Sequence, residues 1–173
     1  MDKTNFTILD DNKTLRMERI FPADKHQLWR AYADPTMLAQ WFSPQGWSTE
    51  VKLHDFVDGG EYIYVMRCDD KSQGEWYGTT SAGKMVFSRI NPEDSFEYTD
   101  YFTDDEGNVN DELPSSRSVV TLSTTGDNST KLTVDTYYET EEGLKTVLEM
   151  GMKEGYAQTL DKLEELLTTA AAN

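Results

Sequence analysis

The sequence predicts an α+β fold: a strongly curved, seven-stranded antiparallel sheet wraps one long C-terminal helix, with two short helices after the first strand. Two observations lead there. From Glu141 to Thr169 apolar residues return at three- and four-residue steps, first Leu144, Val147 and Leu148, then Met152, Tyr156, Leu160, Leu163 and Leu167. Ahead of that run, six segments rich in strand-forming residues are separated by connections of hairpin length, the pattern of a consecutive meander. A helix of this length spans about 40 Å. Its stability comes from packing an apolar face, and the strands must supply the partner surface.

In chain order, residues 1–12 read as a polar, flexible lead-in, residues 13–169 as one domain and residues 170–173 as a short tail. Lys13 to Phe21 is the first strand, with Leu15, Met17 and Arg19 alternating against Thr14, Arg16, Glu18 and Ile20 until Pro22 stops it. Asp24 caps a helix that carries Leu28, Trp29, Ala31 and Tyr32, and Asp34-Pro35 opens a second one reaching Phe42. Trp47 to Phe56 and Glu61 to Cys68 are strands joined at Asp58-Gly59-Gly60, the second placing Tyr62, Tyr64 and Met66 on one face. Thr79 to Ile90 and Ser95 to Thr103 turn at Asn91-Pro92, and Phe96, Tyr98 and Phe102 fall on one side. The acidic stretch Asp104 to Pro114 reads as a solvated tip. Arg117 to Thr124 and Lys131 to Tyr138 complete the meander, and Thr140 with Glu141 and Glu142 caps the long helix.

Composition narrows the function. Against 32 Asp+Glu stand 16 Lys+Arg, and a net charge of −16 repels phosphate backbones and anionic lipid, so no nucleic-acid partner is expected. No stretch has the length and apolarity of a membrane span, and none forms a signal-peptide core. Cys68 is alone, which leaves no disulfide or cysteine zinc site within the chain; a cytoplasmic location is the expectation. His26 and His54 have no metal-ligand spacing, and no phosphate loop, nucleophile elbow or dinucleotide fingerprint is present. No catalytic residue, metal or cofactor is therefore assigned.

What remains is an aromatic and methionine set. Trp41, Phe42, Tyr62, Tyr64, Met66, Phe96, Tyr98, Met152 and Tyr156 would line an apolar cavity in which a few phenols orient a ligand. The same residues would also fill a solid core, and the sequence leaves both open. Gly151 and Gly155, on the inward face of the long helix, either admit close sheet packing or leave room for a guest. Arg67, Lys84, Arg89 and Arg117 are candidates for a counter-charge to an acidic head group, subject to strand register.

The segments RIFPADKHQLWRAYADPTMLAQWFSPQGW, DGGEYIYVM and GMKEGYAQTLDKLEELL together resemble homologues of the activator of the heat-shock protein 90 ATPase, in the START-like, birch-pollen-allergen-like (SRPBCC) superfamily. Trp29, Asp34-Pro35 and Trp41 fall where that family has an aromatic, an Asp-Pro step and a tryptophan; Gly155-Tyr156 resembles its Gly-Trp helix pattern with Tyr for Trp. The likeness runs from about Lys13 to Leu167. It implies a helix-grip fold with a cavity between sheet and C-terminal helix. The first functional expectation is binding of a small hydrophobic or amphipathic molecule there. The second is a protein-interaction module resembling a chaperone activator, and the third a polyketide cyclase or aromatase-type enzyme, which a buried carboxylate or histidine pointing into the cavity would favour.

Overall fold

A computed structural model describes residues 3–172; residues 1–2 of the expected lead-in and residue 173 of the tail lie outside it. The chain runs β1 (Asn5–Ile8), β2 (Thr14–Phe21), α1 (Lys25–Ala33), α2 (Pro35–Trp41), β3 (Trp47–His54) and β4 (Glu61–Cys68). After a 3₁₀ segment at Lys71–Trp76 come β5 (Thr80–Asn91), β6 (Ser95–Thr103), β7 (Ser116–Gly126), β8 (Ser129–Tyr138), α3 (Glu141–Glu149) and α4 (Met152–Ala172). All strands join one antiparallel sheet in the order β1-β2-β8-β7-β6-β5-β4-β3, so the meander from β3 to β8 forms as expected and β2 closes on its last strand.

The caps expected at the helix starts are made. Asp24 and Gln27 form a reciprocal capping box at α1, Asp34 accepts from the Thr36 amide ahead of α2, and Thr140 accepts from the Gly143 amide at α3. Register then sends Leu15, Met17, Arg19 and Phe21 inward from β2, and Val120, Leu122, Leu132 and Val134 inward from β7 and β8. Leu160, Leu163 and Leu167 of α4 are buried to 2% or less against that floor. Arg19 is the exception among these side chains. Its guanidinium, 1% exposed, donates to Asp161 at 2.7 Å, Glu164 at 3.3 Å and Thr4 at 3.0 Å, tying β2 to α4.

Two expectations are corrected. The sheet has eight strands, because Asn5–Ile8, within the expected lead-in, pairs along the free edge of β2. Three of its four side chains are exposed and only Phe6 packs on the core, so its alternation is weak; the open backbone groups of β2 supply the reason to pair. The long helix is also two helices. Met150 closes α3 and Gly151 follows at φ +84°, a left-handed conformation that glycine reaches without the penalty of a Cβ. The Gly151 amide donates to the Leu148 carbonyl, and α4 restarts as the Gly155 amide reaches the Gly151 carbonyl. Gly151 is thus the joint of the C-terminal arm and not a helical residue on its inward face.

The two glycines should respond oppositely to alanine. Gly151→Ala forces a side chain into the left-handed region and should cost about 1–2 kcal/mol. At Gly155 a Cβ would meet only Pro44, at 3.6 Å, and Gly155→Ala should gain up to about 1 kcal/mol from helix propensity. Urea denaturation of both variants checks this; equal signs would mean that the break is not set by Gly151.

Candidate functional site

The interior between sheet and helices has two parts of different density. At one end, rings from α1, β3 and the turn after it, β4, β5 and β6 interlock: Trp29 is tilted against Phe56 and meets Phe96 edge to face, as do Phe56 with Phe87 and His54 with Tyr62 and Phe87. The void left among them is about 20 Å³, room for about one water. His54 belongs to this packing. Its Nε2 lies 2.9 Å from the Tyr32 carbonyl, which fixes the proton on that nitrogen, and burial lowers its pKa.

At the other end, beside the break between α3 and α4 at Gly151, a cavity of about 290 Å³ opens to solvent. Its walls are inward side chains of β4, β5 and β6, the turn Phe42–Pro44, Val147 and Met150 of α3, and Met152, Tyr156 and Thr159 of α4. Six of the nine expected residues meet here: Phe42, Tyr64, Met66, Tyr98, Met152 and Tyr156. Tyr62 and Phe96 line the filled end instead. Trp41 lines neither space; it is 1% exposed, and its indole N–H donates to the Ala31 carbonyl at 2.9 Å, holding α2 onto α1. Opposite Tyr64 across the ladder stands Gly83, where a Cβ would come within 2.6 Å of the phenol carbon Cζ. That missing side chain is the space in which the Tyr64 ring lies.

The expected counter-charges all point away. Arg117 and Arg89 pair with Glu97, Lys84 with Glu61, and Arg67 reaches the Gly78 carbonyl at 3.4 Å. The charged residue that does face the cavity is Asp100, which the aromatic reading of the sequence passed over. On β6 the inward positions alternate Phe96, Tyr98, Asp100, Phe102, so an acid standing inside an otherwise apolar period of two was the available signal. Its Oδ1 is shut off from solvent with no hydrogen-bond partner, and burial pushes the carboxyl up to about 7. Burial likewise raises Tyr64, Tyr98 and Tyr156, which remain neutral phenols at physiological pH. Chemically the site offers an apolar wall, hydroxyl groups able to donate or accept, and one ionisable carboxyl.

Among the described residues no group of three or more His, Cys, Asp or Glu is placed to hold a metal, and no helix is long and apolar enough to cross a membrane. Cys68 is a buried free thiol at the end of β4.

Comparison with known proteins places this architecture. A protein of Mycobacterium smegmatis, Ms6760, is 31% identical with a TM-score of 0.83, over 95% of this chain and 96% of that one. A protein of Arthrobacter aurescens is 28% identical with a TM-score of 0.85, over 95% and 91%. One from Nitrosomonas europaea, NE0264, is 26% identical with a TM-score of 0.76, over 95% and 100%. No curated protein matches. The family described as Activator of Hsp90 ATPase homolog 1-like protein matches residues 22–168, from the residue after β2 through nearly all of α4, and the chain belongs to that family.

Proposed function

We propose that the protein binds a small amphipathic molecule in the cavity between the sheet and the C-terminal helices. The observation that carries this reading is the contrast within one interior, packed to about 20 Å³ at one end and open to about 290 Å³ at the other. Loose packing in general would spread its voids; here the space is continuous, apolar-walled and close to the lower end of small-molecule sites, about 300–1,000 Å³. Side-chain hydroxyls and one carboxyl converge on it, which is how such sites orient a guest.

The chaperone-type reading has less support: among the described residues the large exposed apolar side chains, such as Leu53, Val57, Trp76 and Tyr77, do not belong to α1 or α2. Asp100 gives the cyclase-type reading one acid–base group.

Fluorescence titration with the neutral probe N-phenyl-1-naphthylamine tests binding. The wild type should brighten it with saturation, and Gly155→Phe, which places a ring at the cavity wall beside Pro44, should weaken that by at least about tenfold. Equal titrations in both proteins, or none in either, would count against the cavity. Mass spectrometry of a compound that co-purifies or is added then separates binder from enzyme: recovery unchanged supports binding, and an altered mass supports turnover.

A further inference from the structure

Resting on the binding reading above, we propose that the cavity selects cationic amphiphiles, holding an ammonium group beside the Asp100 carboxylate among the rings of Phe42, Tyr64, Phe102 and Tyr156.

Four observations converge on this polarity. Asp100 is the charged residue of the lining, and among the described residues no lysine, arginine or histidine shares the cavity with it. The basic side chains of the neighbouring strands are committed outside: Lys84 to Glu61, Arg117 to Glu97, and Arg16 to Asp135 through two contacts of 2.8 Å. The half-buried Lys162 is held by Ser43 Oγ at 2.7 Å and the Trp47 carbonyl at 3.2 Å, outside the lining. Within the protein the carboxyl finds only neutral donors, the Tyr64 hydroxyl and the Tyr101 amide, so where it lines the cavity a bound ammonium supplies the missing charge together with N–H donors.

The surroundings suit a cation and disfavour an anion. Aromatic rings attract ammonium groups through their negative faces, most strongly where water is excluded. A carboxylate or sulfate ligand would instead meet Asp100 with no compensating charge. The net charge of −16 raises the local concentration of cations and lowers that of anions around the whole molecule.

Binding of an ammonium to the ionised carboxyl makes affinity depend on pH. The titratable groups close enough to feel the charge of Asp100 are phenols: Tyr62 and Tyr64 of β4, Tyr98 of β6 itself, Tyr138 of β8 and Tyr156 of α4. From β5 and β7 it meets Met85 and Ser116, and α3 brings Val147 and Met150 to the same cavity. None of these changes charge between pH 5 and 8, which leaves the burial-raised carboxyl of Asp100 as the titrating group of the cavity in that interval.

The test is isothermal titration of the whole protein with 1-octylamine, 1-octanol and octanoate at pH 8. The amine should bind at least about tenfold more tightly than the alcohol, and the acid more weakly than both. In Asp100→Asn the advantage of amine over alcohol should vanish. Surface attraction is nearly the same in both proteins, so the change in that ratio reports the cavity. An independent measurement needs no variant: in the wild type the amine-to-alcohol ratio should fall by about tenfold between pH 8 and pH 5, toward its value in Asp100→Asn, as the carboxyl takes up its proton. Alcohol binding with no preference for the amine, or a preference that persists in Asp100→Asn and at pH 5, overturns cation selection and leaves the cavity reading standing. Failure of all three compounds to bind overturns both.

Discussion

Truncation of Trp41 to alanine is expected to destabilise the protein by about 3–5 kcal/mol, a fall of about 10 °C or more in Tm for a chain of this size. Three separate contributions add. The indole is 1% exposed, so its removal leaves a cavity near the junction of α1 and α2. It packs edge to face on Tyr32, with ring centres 5.0 Å apart, and on Phe42 at 5.6 Å. Its N–H satisfies the Ala31 carbonyl at 2.9 Å, a group that alanine would leave without that partner. Trp41→Phe restores most of the packing but not the hydrogen bond, and should recover roughly half of the loss. Thermal and urea unfolding followed by circular dichroism would measure both. A cost below about 1 kcal/mol for the alanine variant would mean that α2 is held by something other than this ring.

The second large effect has the opposite sign. Asp100→Asn should stabilise the protein by about 2–3 kcal/mol at pH 8, raising Tm by about 5–10 °C. An aspartate in the unfolded chain loses its proton near 3.8, whereas in the folded protein burial holds the proton until about 7. Between those values the folded state binds more protons than the unfolded one. Stability therefore falls as pH rises from about 4 to 7 and stays level above. Asparagine has no proton to lose, so its advantage should grow from pH 5 to pH 8. His54 works in the other direction: burial depresses its pKa, so its contribution is present above about 6.5 and is lost as pH falls below it. Comparing Asp100→Asn with wild type at each pH cancels that common term. An advantage that is flat across the range would show that Asp100 ionises freely in the cavity.

Most of the fold was legible because the residues that set it act locally. The period of two in Tyr62, Tyr64 and Met66, the Asp34-Pro35 step and the Thr140 cap each need only their neighbours in sequence, and each stands where expected. Gly151 was not legible in the same way. The apolar stripe continues across it at helical spacing, so periodicity alone favours one long helix, and the left-handed turn shows only in the backbone. Register decided the charges. Arg67, Lys84, Arg89 and Arg117 were equal candidates until pairing turned every one outward, while Arg19, inward by the alternation of β2, found its carboxylates on α4. Cavity and core could not be told apart from residue types, since Tyr62 packs in the filled end and Tyr64, two residues on, lines the open one. The difference lies in which side chains the sheet and the two C-terminal helices bring together, a long-range property of the packed structure.

The closing of β2 on β8 bears on how the protein is made. Arg16 and Asp135, paired across that seam, lie 119 positions apart, whereas β3 to β8 each pair with the strand just before or after them. During synthesis β1 and each strand of the meander have a partner close by in the chain, whereas the β2–β8 seam must wait. At about 5–20 residues per second the ribosome needs roughly 6–25 s to deliver β8 after β2. Through that interval β2 has only β1 to pair with, which makes the β2–β8 seam the last strand pairing of the sheet to form, while the inward Leu15, Met17 and Phe21 wait with the other strands for the C-terminal helices that cover them.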